Sequence, residues 1–194
     1  MPPAAPPLLL LDVDGVLNAV TRTPDAHVWT DWVTGTARAN GRSWPITFSP
    51  TPVARLAAWH RDGAVELRWL TTWGFAANEG LHELLGLPAL EVAGVPDGPG
   101  SASELAEASL AGSTAAAPDA LTGRWWKLDA VRRLLAAEPG RPTVWVDDEL
   151  RGAGNAFAAW AGSVGIVTVG PDPATGLTTH DLDRIEAFLA GAPH

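Results

Sequence analysis

Four short polar clusters interrupt the apolar runs of this chain, and their residue types suit cation-assisted chemistry on an anion. Asp12 and Asp14 follow the run Leu8-Leu9-Leu10-Leu11 with one residue between them. In extended backbone, residues i and i+2 project to the same side, so both carboxylates converge on one point. Asp147 and Asp148 follow a second apolar run, Thr143 to Val146. Carboxylates gathered from two strand ends repel one another unless a cation sits among them, and an all-oxygen donor set of that kind suits Mg²⁺. Capping or a turn explains a lone Asp-x-Asp-Gly nearly as well; it explains two acidic pairs, each after an apolar run, much less well.

Thr71 ends a third run, Val65 to Leu70. Its hydroxyl, with the backbone N–H groups of the following turn, can hold a phosphate oxygen. Thr72 is equally placed by counting, and a lone threonine is more often a cap or turn residue. Of thirteen basic residues, Lys127 is the single lysine. Lysine is a compact point charge and arginine a planar fork, so a lysine kept in an arginine-biased chain points to a particular task. The ten tryptophans with no tyrosine are a second bias. Trp69 and Trp145 read as core. Trp73, beside Thr71-Thr72, and Trp125, before Lys127, are candidates for stacking on a nucleobase, with core filling an equal alternative. The five histidines show no ligand spacing.

These groups must be positioned by elements that the pattern also indicates. Leu8 to Leu11 reads as a strand buried on both faces of a parallel sheet. Further strands are expected at Val65–Leu70, Leu90–Ala93, Thr143–Val146 and Ile166–Val169. Helices are expected at Pro52–Arg61, with Thr51 or Ser49 as N-cap, and at Asn78–Leu85, Trp125–Ala137, Ala153–Ala161 and His180–Leu189. Strands alternating with helices indicate an α/β fold with a central parallel sheet, and such sheets place ligands at their carboxyl ends. Between the first strand and the first helix, about 18–50, two pieces (His27–Val33 and Arg42–Phe48) are expected to pair as a small β-hairpin flap. The Gly/Ser/Ala/Pro-rich stretch of about 95–123 reads as a long flexible loop.

Composition narrows the classes. A chain of 194 residues, 46% hydrophobic and 18% charged, is expected to fold as one domain over 1–194 with a sizeable core. Its net charge of -9 disfavours duplex nucleic acid and anionic membranes. The absence of cysteine excludes disulfides, thiol catalysis and cysteine-ligated zinc. No segment reads as a signal peptide or membrane span, so a cytoplasmic location is expected.

Asp12-Val13-Asp14-Gly15-Val16-Leu17-Asn18, Leu70-Thr71-Thr72, Lys127 and Val146-Asp147-Asp148 together resemble the four-motif signature of the haloacid dehalogenase (HAD) superfamily, in the family's order over residues 8 to 148. Receiver domains of two-component signalling use the same residue types with the lysine last, an order this chain does not follow. The resemblance implies a three-layer Rossmann-like fold and a Mg²⁺-dependent phosphomonoester hydrolase. It makes Asp12 the nucleophile that forms an aspartyl-phosphate and Asp14 the general acid and base. It gives Thr71 (or Thr72) and Lys127 the phosphoryl oxygens. The metal falls to Asp12, the Asp14 carbonyl, and Asp148 or Asp147. An acid at position 14 favours phosphate chemistry over dehalogenation. The short insertions imply minimal capping, with no large cap domain. A small phosphorylated substrate is expected, with a nucleotide preferred because of the tryptophans. The first two motifs are also similar to HAD domains of bacterial RNA-repair proteins, which offers a polynucleotide-end phosphatase as the alternative, acting on a single-stranded end. A non-catalytic binding module on the same fold is the third reading.

Overall fold

The computed structural model describes residues 5–96 and 125–192. Five parallel strands, β1 (Leu8–Leu11), β4 (Glu66–Trp69), β5 (Glu91–Val92), β6 (Thr143–Val146) and β7 (Ile166–Val169), form one sheet in the order β5-β4-β1-β6-β7. β1 lies at the centre, with Leu8 level with Glu66 on one side and Thr143 on the other. Its four leucines are fully buried because helices cover both faces. Leu9 and Leu11 face one core with Val53 and Leu56 of α1 (Pro50–Arg61) and Leu182 and Ile185 of α5 (Thr179–Gly191). Leu8 and Leu10 face a second core with Leu128 and Val131 of α3 (Trp126–Ala137) and Phe157 of α4 (Gly154–Ser163). These are the three layers of the α/β, Rossmann-like arrangement expected from the sequence. Among the described residues no helix is long and apolar enough to cross a membrane.

Most element positions follow the sequence reading to within a few residues, and three differ for physical reasons. The hairpin pairs β2 (Val33–Ala39), rather than His27–Val33, with β3 (Arg42–Phe48). Its turn is Asn40-Gly41, both at positive φ (53° and 71°), as a two-residue primed turn requires. A two-residue turn puts Ala39 opposite Arg42, and the ladder then places Val33 opposite Phe48. The expected helix Asn78–Leu85 is a 3₁₀ turn (Gly74–Asn78) followed by a short α2 (Leu81–Leu85). Gly80 divides them where the hairpin backbone presses closely, since a Cβ there would stand 2.9 Å from the Arg38 carbonyl oxygen. α1 begins two residues early, at Pro50, because Ser49 caps it by accepting from Thr51 N–H at 3.3 Å. The loop expected over 95–123 falls almost wholly outside the described residues.

α1 covers one face after β1, whereas α4 covers the opposite face after β6. The crevice between those two strand ends is where such sheets bind ligands. Asp12 and Asp147 stand on its two sides.

Candidate active site

Each acid of the site begins where a strand stops. Asp12 N–H donates to the Val146 carbonyl (3.0 Å) and Asp147 N–H to Val169 (3.0 Å), so the ladder continues one residue past the apolar run and fixes both backbones. The chain then turns at Gly15, whose φ of 74° suits glycine. A Cβ on Gly15 would stand 2.5 Å from Asp148 Cγ, so the turn after β1 and the acid after β6 touch through the missing side chain.

Lys127 lies in the first turn of α3, a poor place for a cation near the positive end of a helix. It is 2% exposed, and its Nζ stands 2.6 Å from Asp12 Oδ2, 2.9 Å from Asp147 Oδ2 and 3.1 Å from Glu149 Oε2. Burial alone would lower its pKa; the charges of these three carboxylates outweigh burial and hold it well above the usual lysine range. Asp12 Oδ1 accepts from Val13 N–H at 2.7 Å. Asp147 is fully buried, with Oδ1 accepting from Glu149 N–H (3.1 Å) and Oδ2 from the Trp145 indole (3.3 Å). Burial pushes the Asp147 carboxyl well up, against the pull of Lys127.

Asp14 Oδ1 accepts from Asn18 Nδ2 at 2.7 Å and Oδ2 from the Trp73 indole at 2.9 Å. Burial raises its pKa and these two donors restrain the rise, leaving it at about 6. A carboxyl poised there is suited to either giving or taking a proton near neutral pH. Asp148 is pushed up to about 7 by burial and by the Asp12 charge. Thr71 is fully buried, its Oγ1 accepting from Trp73 N–H at 3.3 Å, and Thr72 is half-buried.

Asp12, Asp147 and Asp148 each offer a carboxylate oxygen, all three within 4.8 Å of one another. Five carboxyl groups (Asp12, Asp14, Asp147, Asp148 and Glu149) gather here around the Lys127 ammonium. An all-oxygen, negatively charged set of this kind fits a hard divalent cation. Trp73 and Trp125 are placed otherwise than stacking requires, at 3% and 4% exposure. Trp73 packs edge-on against Trp44 of the hairpin, with centroids 6.1 Å apart, and Trp125 stacks on Trp145 at 4.8 Å. Each spends its indole N–H on a carboxylate of the site, Asp14 for Trp73 and Glu149 (3.1 Å) for Trp125.

Sequence reasoning passed over three contributors. Glu149 continues the acidic run after β6, and the run itself was the signal. Asn18 bonds Asp14 and, through Oδ1, accepts Thr47 N–H of β3 at 2.9 Å, which ties the hairpin to the site. Gly15 sets the approach of Asp148.

The sheet order, acidic crevice and buried lysine agree with the HAD-type domain that the motifs suggest. The family model described as the HAD domain in Swiss Army Knife RNA repair proteins matches residues 8–182, and the chain belongs to that family. No curated protein matches the chain.

Proposed function

We propose that this domain is a divalent-cation-dependent phosphomonoester hydrolase that forms an aspartyl-phosphate on Asp12 and removes the terminal phosphate of an RNA strand. The observation that carries the reading is the buried Lys127 ammonium 2.6 Å from the Asp12 carboxylate at the carboxyl end of the sheet. An Asp12 oxygen attacks phosphorus, and the bond from phosphorus to the ester oxygen breaks. Asp14 gives its proton to that leaving oxygen, then takes one from the water that attacks phosphorus and breaks its bond to Asp12. Lys127 and the Thr71 hydroxyl take phosphoryl oxygens and balance the charge that develops on them. Asp12, Asp148 or Asp147, and the Asp14 carbonyl would hold Mg²⁺, which would supply neutralising charge to the phosphoryl oxygens when bound.

The burial of Trp73 and Trp125 removes the ground for preferring a free nucleotide, and the family's RNA-repair association favours a strand end. The net charge of -9 is compatible with this, because a single-stranded end needs few phosphate contacts. The test compares 3′- and 5′-phosphorylated oligoribonucleotides with mononucleotides in Mg²⁺, using wild type and Asp12→Asn. Faster release of phosphate from an oligonucleotide, lost in the variant, is expected. A wild type no more active than Asp12→Asn on any of them would overturn the proposal.

A further inference from the structure

An ammonium carries three N–H donors, and Lys127 has three carboxylate oxygens within 3.1 Å, one each from Asp12, Asp147 and Glu149. Only the Asp12 contact is aligned as a hydrogen bond, yet a phosphoryl oxygen that comes to Nζ competes with all three carboxylate oxygens for the charge and donors of the ammonium. The three partners differ in how readily they can go. Asp147 is fully buried and held besides by Trp145 and by the Glu149 N–H. Asp12 is 5% exposed and anchored by Val13 N–H. The Glu149 side chain is 34% exposed and makes the longest of the three contacts. When it leaves Lys127 its carboxylate faces water, so neither the departing acid nor the ammonium is stranded without partners.

We infer that Glu149 is a placeholder: it occupies, on Lys127, the position that a phosphoryl oxygen of the ligand takes, and it is displaced when that ligand binds. The inference rests on the reading of Lys127 as a phosphoryl-oxygen partner. Trp125 sets the geometry of the exchange. It lies two residues before Lys127 and donates its indole N–H to the same oxygen, Glu149 Oε2, that faces the ammonium. Its stack on Trp145, whose own N–H serves Asp147, fixes that donor in place. Two stacked indoles therefore hold two of the three acids that meet the lysine. Asp147 is held there by burial, and Glu149 by contacts that its half-buried side chain can give up.

A placeholder and a purely supporting acid predict opposite signs. If Glu149 competes with the ligand, removing it frees a donor and tightens anion binding; if it only orients Lys127, removing it loosens binding. The experiment measures inorganic phosphate binding in Mg²⁺ by calorimetry for wild type, Glu149→Ala and Glu149→Asp. Glu149→Asp keeps the negative charge on a side chain one methylene shorter, which separates exchange from simple relief of repulsion. Both variants are expected to bind phosphate at least about fivefold more tightly than wild type. Tightening in Glu149→Ala alone would overturn the inference in favour of repulsion. Weaker or unchanged binding in both, or no phosphate binding by any of the three proteins, would also overturn it. Because the readout is binding, tighter phosphate in both variants of a domain that releases no phosphate from any ester would sustain the exchange while rejecting the proposed reaction.

Discussion

The two ends of the central sheet manage charge in opposite ways. Toward the amino end, Arg68 stands 2.6 Å from Glu66 and 2.7 Å from Glu138, and Arg141 stands 2.6 Å from Glu66 and also pairs with Glu138. Two guanidinium groups and two carboxylates interlock there, and Arg68 has a third, longer contact with Glu91 at 3.4 Å. Burial pulls Glu66 and Glu138 upward, but the bonds from Arg141 and Arg68 outweigh it and hold both below the usual glutamate range. At the carboxyl end five acids crowd a single lysine, and Asp14, Asp147 and Asp148 are all pushed upward, by burial first. A network that closes on itself braces the fold. A cluster that is short of positive charge among the described residues is set up to receive it from outside, and this contrast supports the proposed site more sharply than any single residue does.

The contrast can be broken from the carboxyl end first. Asp12→Asn is expected to lower turnover by more than about 10³-fold, measured as phosphate release in Mg²⁺; retained turnover would remove Asp12 as nucleophile. Lys127→Met should cost about 10²- to 10³-fold in kcat. It should also destabilise the fold by about 3–5 kcal/mol in urea unfolding, since buried acids lose their partner. An equally stable variant would mean that these acids are neutral without it. Trp73→Phe keeps the ring against Trp44 and deletes the N–H bonded to Asp14. About a tenfold loss of kcat is expected on alkyl phosphates, with a smaller loss on p-nitrophenyl phosphate, whose leaving oxygen needs no proton. Equal losses on both would assign Trp73 to packing alone.

The amino end should respond to acid and leave catalysis alone. Glu66 and Glu138 have folded-state pKa values below their ordinary value of 4.5, so their contribution is present above that pH and lost as pH falls through the lowered values. Arg141→Met is expected to cost about 1 kcal/mol near neutral pH and less in acid, with turnover unchanged. Urea unfolding at both pH values, beside a turnover assay, checks this. A cost that persists in acid would indicate lost packing of the arginine stem.

The sequence made the strand ends legible because burial on both faces enforces unbroken apolar runs, and a polar residue closing such a run stands out. Asp12, Asp14, Thr71, Asp147 and Asp148 were singled out that way, together with the sheet that carries them, whereas Lys127 stood out as the one lysine of the chain. The first hairpin strand was misplaced by six residues because His27–Val33, with its Val and Trp, looks more strand-like than Val33–Ala39, and only the turn length fixes which pairs. Glu149 was passed over because an acid after a strand usually faces solvent, and its tie to Lys127 crosses between elements far apart in sequence. The tryptophans misled for a related reason. A large ring beside a polar motif suggests an open face, whereas Trp73 and Trp125 are sealed in and each gives its indole N–H to a carboxylate.

The turn at Gly15 has a consequence for how this domain can vary. Its bare Cα is the clearance that lets the Asp148 carboxylate lean in toward Asp12, and a single methyl there would need the volume that Asp148 Cγ fills. The spacing of Asp148 from the other acids is therefore set by an atom that is not there. Even alanine at position 15 would strain a left-handed backbone and push the Asp148 side chain out of its place, leaving every acid present but one of them turned away from the other two.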